Sequence, residues 1–241
     1  MPKRSSQLFV VGIGLVCVAV LYVHGRSLWV PVLNMFSETR TVADVVATYG
    51  ASARDRLRPY FAAAGVAYPP DRVSLLGIKD AARLELWAGS ESEQRFVRAY
   101  PILALSGGAG PKLREGDRQV PEGLYEIEAL NPNSAYHLSL KLNYPNAFDR
   151  EHAAAEGRGE PGTNIFIHGK AVSIGCLAMG DAAIEELFVL AVDVGKSRVR
   201  VAIAPSDPRL HPLSTAVEPG WVSVLYQQLN AYFGKYPRRE G

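Results

Sequence analysis

Basic charge, internal repeats and cysteine are what this 241-residue chain is short of. Lysine and arginine (26) nearly cancel aspartate and glutamate (24), leaving a net charge of +2. The basic excess of a nucleic-acid-binding protein is therefore absent, and no nucleic acid is expected as a partner. No unit of about 20–50 residues recurs and no low-complexity tract stands out, so a solenoid or a biased linker is excluded. The only cysteines are Cys17 and Cys176. Histidine is sparse too, and His168 with Cys176 offers just two metal ligands without a second Cys/His cluster, so neither metal nor cofactor is expected. With 48% hydrophobic and 21% charged residues, the composition suits one sizeable core with a few helices.

At the N-terminus, Lys3 and Arg4 precede an uncharged apolar run from Leu8 to Val23, which His24, Gly25 and Arg26 follow. A basic start, an apolar stretch and a polar exit describe an export signal. The run is short for a membrane span, so cleaved signal and retained anchor both stay open. In either case the basic start would face the cytoplasm and the body would lie outside, in the periplasm or cell envelope. Membrane contact is then expected only through this segment, if uncleaved. Cys17 sits inside the run, so Cys176 has no partner in the remaining body. A lone thiol in an oxidising compartment is a liability unless it is buried or useful.

Thr41 to Ala64 reads as helix, in two pieces broken around Tyr49-Gly50, with Ser52 capping the second, Pro59 kinking it and Gly65 stopping it. Short strands follow the Tyr68-Pro69-Pro70-Asp71 turn: Val73–Ile78, Arg83–Trp87, Phe96–Ala104, Gly123–Leu130, Tyr136–Leu142 and Asn164–Ile167. Leu84-Glu85-Leu86 and Tyr125-Glu126-Ile127 show the two-residue alternation of half-buried strands. Asp181 is a candidate cap for a helix with Ile184, Leu187, Phe188 and Ala191 on its apolar side, ending near Gly195. A strand at Arg198–Ala204 and an amphipathic helix from Trp221 to Phe233, with Val224, Leu225 and Leu229 inward, complete the pattern. The fold class expected is α+β, mainly β with flanking helices. The boundaries expected are a signal or anchor at 1–30, a helical segment at 31–70, a catalytic domain at 71–205, and a C-terminal helix and tail at 206–241.

Chemistry concentrates in Asn164–Asp181, which reads NIFIHGKAVSIGCLAMGD. His168 ends an apolar strand, and Ser173, Gly175 and Cys176 open the next segment, read as the start of a helical pattern. Thiol chemistry needs a thiolate, and a neighbouring imidazole can take the proton. Gly175 removes bulk beside the sulfur, the N–H groups near Gly175 and Cys176 are candidate oxyanion donors, and Ser173 is a candidate turn support. An ion pair with His168 would bring the Cys176 pKa below the ordinary value, whereas a buried structural cysteine would have it raised. His137, His152 and His211 are scattered among loops and strand edges and are read as structural.

This segment resembles the catalytic motif of the YkuD-type L,D-transpeptidases, and specifically the YafK-like branch, in which a short stretch separates His-Gly from Ser-x-Gly-Cys. Further blocks match in order: Ser106-Gly107-Gly108, Gly110-Pro111-Lys112, Arg114-Glu115-Gly116-Asp117, Pro121 to Tyr125, and Asn143 to Arg150. Together they cover about Arg72 to Ala204. Ile174 departs from the pattern, since many members carry a second histidine there. The resemblance implies a β-sandwich catalytic domain with N-terminal helices and a C-terminal helix. It implies Cys176 as nucleophile, His168 as base and the Gly169 carbonyl as the group that orients the ring. Peptidoglycan stem peptides would be the substrate, attacked through a Cys thioester in cell-wall biogenesis and cell shape. Lys112, Arg114 and Asp117 are candidates for stem-peptide charges or a solvated loop, and Tyr144 and Phe148 for pocket walls or core. Transfer to an amine, hydrolysis that releases a wall-linked lipoprotein, and non-catalytic wall binding remain open as outcomes.

Overall fold

The computed structural model describes residues 39–216 and 218–238, with positions 18, 20–22, 25, 26 and 28–30 besides. It divides into two compact units, 1–40 and 41–241. In the first, the described positions are helical apart from Gly25, Thr39 and Arg40; Cys17 and most of the Leu8–Val23 run lie outside the described residues. Among the described residues no helix is long and apolar enough to cross a membrane.

The second unit opens with α1 (Val42–Ala64). Thr41 and Asp44 cap it reciprocally: Thr41 Oγ1 accepts from the Asp44 N–H, and Asp44 accepts from the Thr41 N–H at 2.8 Å. Gly65 stops it in the left-handed region at φ 63°. The expected break at Tyr49-Gly50 does not occur. Gly50 faces inward, and a Cβ there would lie 2.8 Å from the Arg54 guanidinium, which instead forks onto Asp193 at 2.7 and 2.8 Å. Close packing thus offsets the roughly 1 kcal/mol that glycine costs a helix. Ser52 bonds back to the Tyr49 carbonyl within the helix and caps nothing. Pro59 is on the exposed side, where the carbonyl it leaves unpaired can meet water.

Eight strands follow: β1 (Arg72–Ile78), β2 (Arg83–Gly89), β3 (Gln94–Pro101), β4 (Gly123–Asn131), β5 (Ser139–Leu142), β6 (Phe166–His168), β7 (Leu177–Ala178) and β8 (Val199–Ala204). Helices α2 (Ala147–Ala155), α3 (Asp181–Val194) and α4 (Trp221–Phe233) are interspersed. The strands form one curled series in the order β3-β2-β1-β8-β4-β5-β6-β7, so the expected α+β class with helices at both ends holds. Pairing is antiparallel except for β1 with β8 and β6 with β7.

Alternation splits the side chains into two cores. Val73, Leu75, Leu84, Val201 and Ile203 pack with Leu140, Ile167 and Leu177 from the other end of the series, and with Phe61, Ile184 and Phe188 from α1 and α3. Leu76, Ile78, Trp87 and Ala202 point the other way and are covered by Val222, Leu225, Leu229 and Phe233 of α4. Strands β1, β2 and β8 are covered on both faces, which is why they read as nearly continuous apolar runs. The curl brings β7 over β1: a Cβ at Gly77 would be 3.7 Å from the Leu177 side chain. A single bridge from Ala104 to Ala178 ties the β7 edge to the chain leaving β3.

Several local expectations change. The strand expected at Phe96–Ala104 ends at Pro101, and the one at Tyr136–Leu142 starts at Ser139, after His137 takes a φ of 78°. Cys176 precedes β7, a strand too short to be legible, and the helix begins only at Asp181. Gly180 is its N-cap, and the Asp181 carboxylate bonds to Lys170 instead. Val224 is 44% exposed, since the inward stripe of α4 runs through Val222, Leu225, Tyr226, Leu229 and Phe233.

Helix α2 was not expected, although Asn146 and Asp149 form a reciprocal cap at its start. Burial pushes the Asp149 carboxyl up to about 6, against the Asn146 N–H and the charges of Arg150 and Arg158. A raised folded pKa means that stability is fully present below about pH 4 and is lost as pH rises through about 6. Relative to Asp149→Asn, the natural protein should lose on the order of 2 kcal/mol between pH 4 and pH 7, read from urea midpoints. A gap between the two proteins that stays constant with pH would show that the carboxyl titrates normally.

Candidate active site

The parallel β6–β7 pair sets the positions of the two candidate side chains, His168 and Cys176. Ile167 pairs with Leu177 and His168 with Ala178. Carried one residue back, the register sets Cys176 opposite Phe166. Ile167 and Leu177 fill the core, so His168 points to the other face of β6. Cys176 lies in the bend that enters β7, two positions before the register partner of His168.

His168 is buried beneath the Tyr136 ring, 4.6 Å between centroids. Its Nδ1 lies 2.6 Å from the Gly169 carbonyl. A carbonyl only accepts, so Nδ1 carries the proton and Nε2 of the neutral ring keeps its lone pair. Burial holds the His168 pKa below its ordinary value, with the Gly169 carbonyl raising it in part. Gly169 has no room for a side chain: a Cβ would be 2.6 Å from the Tyr136 carbonyl and 2.8 Å from Asp181 Oδ1. Asp181 fixes the turn after His168 by accepting from the Lys170 N–H at 2.9 Å and from Nζ at 2.5 Å.

Cys176 is half-buried, and its sulfur lies 3.8 Å from the Asn164 carbonyl. Burial pushes the thiol up to about 11, while the Phe166 backbone and the Lys112 charge lower it only in part. The lowered thiol pKa expected from the sequence is therefore corrected: burial disfavours both the thiolate and the imidazolium, and the resting pair is neutral. The backbone donors are also engaged. Ser173 Oγ accepts the Cys176 N–H at 3.0 Å and donates to the Cys176 carbonyl at 2.7 Å, closing the turn. Gly175, at φ 83°, donates its N–H to Ser106 Oγ at 2.6 Å. Neither donor expected for an oxyanion is free in this resting arrangement.

The other candidates sit apart from the sulfur or are used structurally. Lys112 is buried, its Nζ bonded to Asp117 at 2.6 Å and to the Arg114 carbonyl at 2.9 Å. Asp117 also accepts the N–H groups of Leu113, Arg114 and Gln119. Burial raises its pKa, but Lys112 and these N–H groups outweigh that and hold it below the usual range. Arg114 is exposed and lines a cavity of about 860 Å³ shared with Arg158 and Glu160. Tyr144 is core, its hydroxyl donating to the Pro161 carbonyl at 2.7 Å. Phe148 packs toward α4 beside His152 and Trp221. The roles of Ser106, Asn164 and Asp181 were missed; Ser106 lay in a matched glycine-rich block, but contacts across about 70 residues carry no sequence spacing.

Residues 78–201, just over half of the chain, match the family described as YkuD, the L,D-transpeptidase catalytic domain. The chain belongs to that family. Two curated relatives, from Escherichia coli K12 and O157:H7, are each named YafK and marked as provisional L,D-transpeptidases. Each is 37% identical over 132 residues, 53% of this chain and 51% of the relative. The chain thus spans about half the length of the relatives it matches. Among solved structures, the helical cell shape determining protein Pgp2 of Campylobacter jejuni aligns at 22% identity and a TM-score of 0.47. That alignment covers 68% of this chain and 56% of Pgp2.

Two measurements test this geometry. Alkylation of Cys176 by iodoacetamide, followed by intact-mass spectrometry, should be slow at pH 7 and keep rising beyond pH 9, as a thiol pKa near 11 requires. A plateau below pH 8 would instead reveal a resting ion pair. Asp117→Ala leaves the Lys112 charge buried without its partner and should cost on the order of 3 kcal/mol in denaturant unfolding. A fully stable variant would return Lys112 and Asp117 to the substrate-binding candidates.

Proposed function

We propose that this member of the family acts on peptidoglycan stem peptides as a cysteine acyltransferase of the cell envelope, with residues 71–205 as its catalytic part. The observation that carries the reading is the 2.6 Å contact from His168 Nδ1 to the Gly169 carbonyl, which leaves Nε2 as a base two register positions from Cys176. The sulfur attacks the carbonyl of the L-centre of a meso-diaminopimelate (or equivalent) residue that precedes a D-residue. As the S–C bond forms, His168 Nε2 takes the thiol proton, so the neutral pair need not ionise beforehand. Collapse of the tetrahedral intermediate breaks the C–N bond. The same proton passes to the departing amine, and a thioester remains on Cys176. An incoming amine gives an L,D-linkage or an attached protein, and water gives a free carboxylate and the thiol; where the departing amine belongs to a wall-linked lipoprotein in place of the D-residue, acylation releases that lipoprotein and water completes the hydrolysis.

Purified peptidoglycan incubated with the full chain and analysed as muropeptides separates the outcomes. New L,D-linkages identify transfer, and released lipoprotein or shortened stems identify hydrolysis. Cys176→Ala should abolish turnover with the unfolding midpoint unchanged, and His168→Ala should lower it on the order of 10²–10⁴-fold. Tight wall binding without products from the natural protein, or full activity of Cys176→Ala, would defeat the enzyme reading.

A further inference from the structure

Ser106, from outside the His168–Cys176 segment, holds the backbone beside the nucleophile. Its Oγ accepts the Gly175 N–H at 2.6 Å and donates to the Arg118 carbonyl at 2.7 Å. One hydroxyl hydrogen serves one acceptor, so the direction of both bonds is determined. The turn it holds needs a restraint. Gly175 sits in the left-handed region, and Ile174 just before it is 70% exposed and packs on little. Ser173 closes the turn only onto Cys176 itself, a local bond that leaves the turn free to move as a unit.

Ser106 is itself well anchored. The Gln119 side chain lies over Gly107, accepting the Gly108 N–H at 3.0 Å and donating to the Gly108 and Gly110 carbonyls at 2.8 and 2.5 Å. No side chain fits at Gly107, where a Cβ would be 1.8 Å from Gln119 Oε1. Below this clamp, Lys79 Nζ bonds to the Gly110 and Val120 carbonyls at 3.1 Å and to Glu122 at 2.8 Å. Glu122 also accepts the Gly110 N–H at 2.8 Å. Side-chain exposure is 3% for Lys79 and 0% for Glu122. A buried ion pair, a glutamine clamp and a serine hydroxyl therefore connect the core to the Gly175 amide.

We infer that Ser106 is a positioning residue for the Cys176 nucleophile, acting through the Gly175 amide; this rests on the acyl-transfer reading above. Loss of the hydroxyl frees the Ile174–Gly175 peptide, one unit before the Cys176 amide, to rotate, and misplacement of a reacting atom by about 1 Å can cost on the order of 10²-fold in rate. Substrate binding does not need this bond, so the effect falls on kcat.

The test uses the full chain with tetrapeptide muropeptides and compares Ser106→Ala with Ser106→Thr, which keeps the hydroxyl. Ser106→Ala should lower kcat on the order of 10–100-fold with KM within about twofold and an unchanged unfolding midpoint. Ser106→Thr should recover most of the loss. A wild-type kcat in Ser106→Ala, or a loss that Ser106→Thr shares in full, would overturn the inference. If the natural protein turns over no muropeptide, the acyl-transfer reading fails by itself, and amide hydrogen exchange at Gly175 then decides the tether. Exchange accelerated at least tenfold in Ser106→Ala and restored in Ser106→Thr supports it; equal exchange in all three proteins removes it.

Discussion

The buried pair of Lys79 and Glu122 is the contact on which the working end of the molecule depends. Lys79 follows β1, Glu122 precedes β4, and the Tyr226 hydroxyl from α4 caps the second carboxylate oxygen at 2.9 Å. Burial lowers the Lys79 pKa and Glu122 raises it in part. Such a pair contributes little net stability over apolar residues of the same volume, but removal of one partner strands the other charge at a cost of about 3–5 kcal/mol. Its use here is geometric. It fixes the glycine-rich 106–120 segment, which has few apolar side chains to hold it, against the sheet.

From that anchor the candidate pair follows by sheet geometry. Curling brings β7 over β1, β6 runs parallel to β7, and the register turns an eight-residue separation in sequence into one of two positions. The resting pair is neutral because the same burial raises the thiol and lowers the imidazole. On the proposed reading, such a pair works by general-base assistance at the moment of attack rather than by storage of a thiolate. The hydrogen bond to Gly169 then matters more than any nearby acid, since it selects the tautomer.

Legibility in the sequence followed the range of the interaction. Strand β1 was legible as a long apolar run and β2 by the alternation of Leu84, Glu85 and Leu86, although Glu85 proves buried and paired with Arg209, and α3 because Ile184, Leu187, Phe188 and Ala191 recur at helical spacing. His168 and Cys176 were legible as a motif. What escaped was non-local or compensated. Gly50 reads as a break until Arg54 is seen to pack over it, and β7 has two residues, too few for any period. The Lys112–Asp117 pair looks like solvated charge until the segment around Gly162 closes over it, where a Cβ would meet Lys112 Cε at 2.4 Å. The Asn146–Asp149 cap was a local signal of α2, overlooked because the same residues were matched as a motif.

A thiol kept in its neutral form is also a thiol kept from peroxide. Oxidation to the sulfenic acid and beyond proceeds through the thiolate, so the exposed, low-pKa cysteines of redox sensors are the ones consumed. Cys176 has the opposite setting, half-buried and raised to about 11. With no second cysteine among the described residues, no neighbouring thiol is placed to rescue a sulfenate as a disulfide. Burial of the sulfur thus slows its oxidation, because the thiolate that peroxide attacks is the minor form near neutral pH.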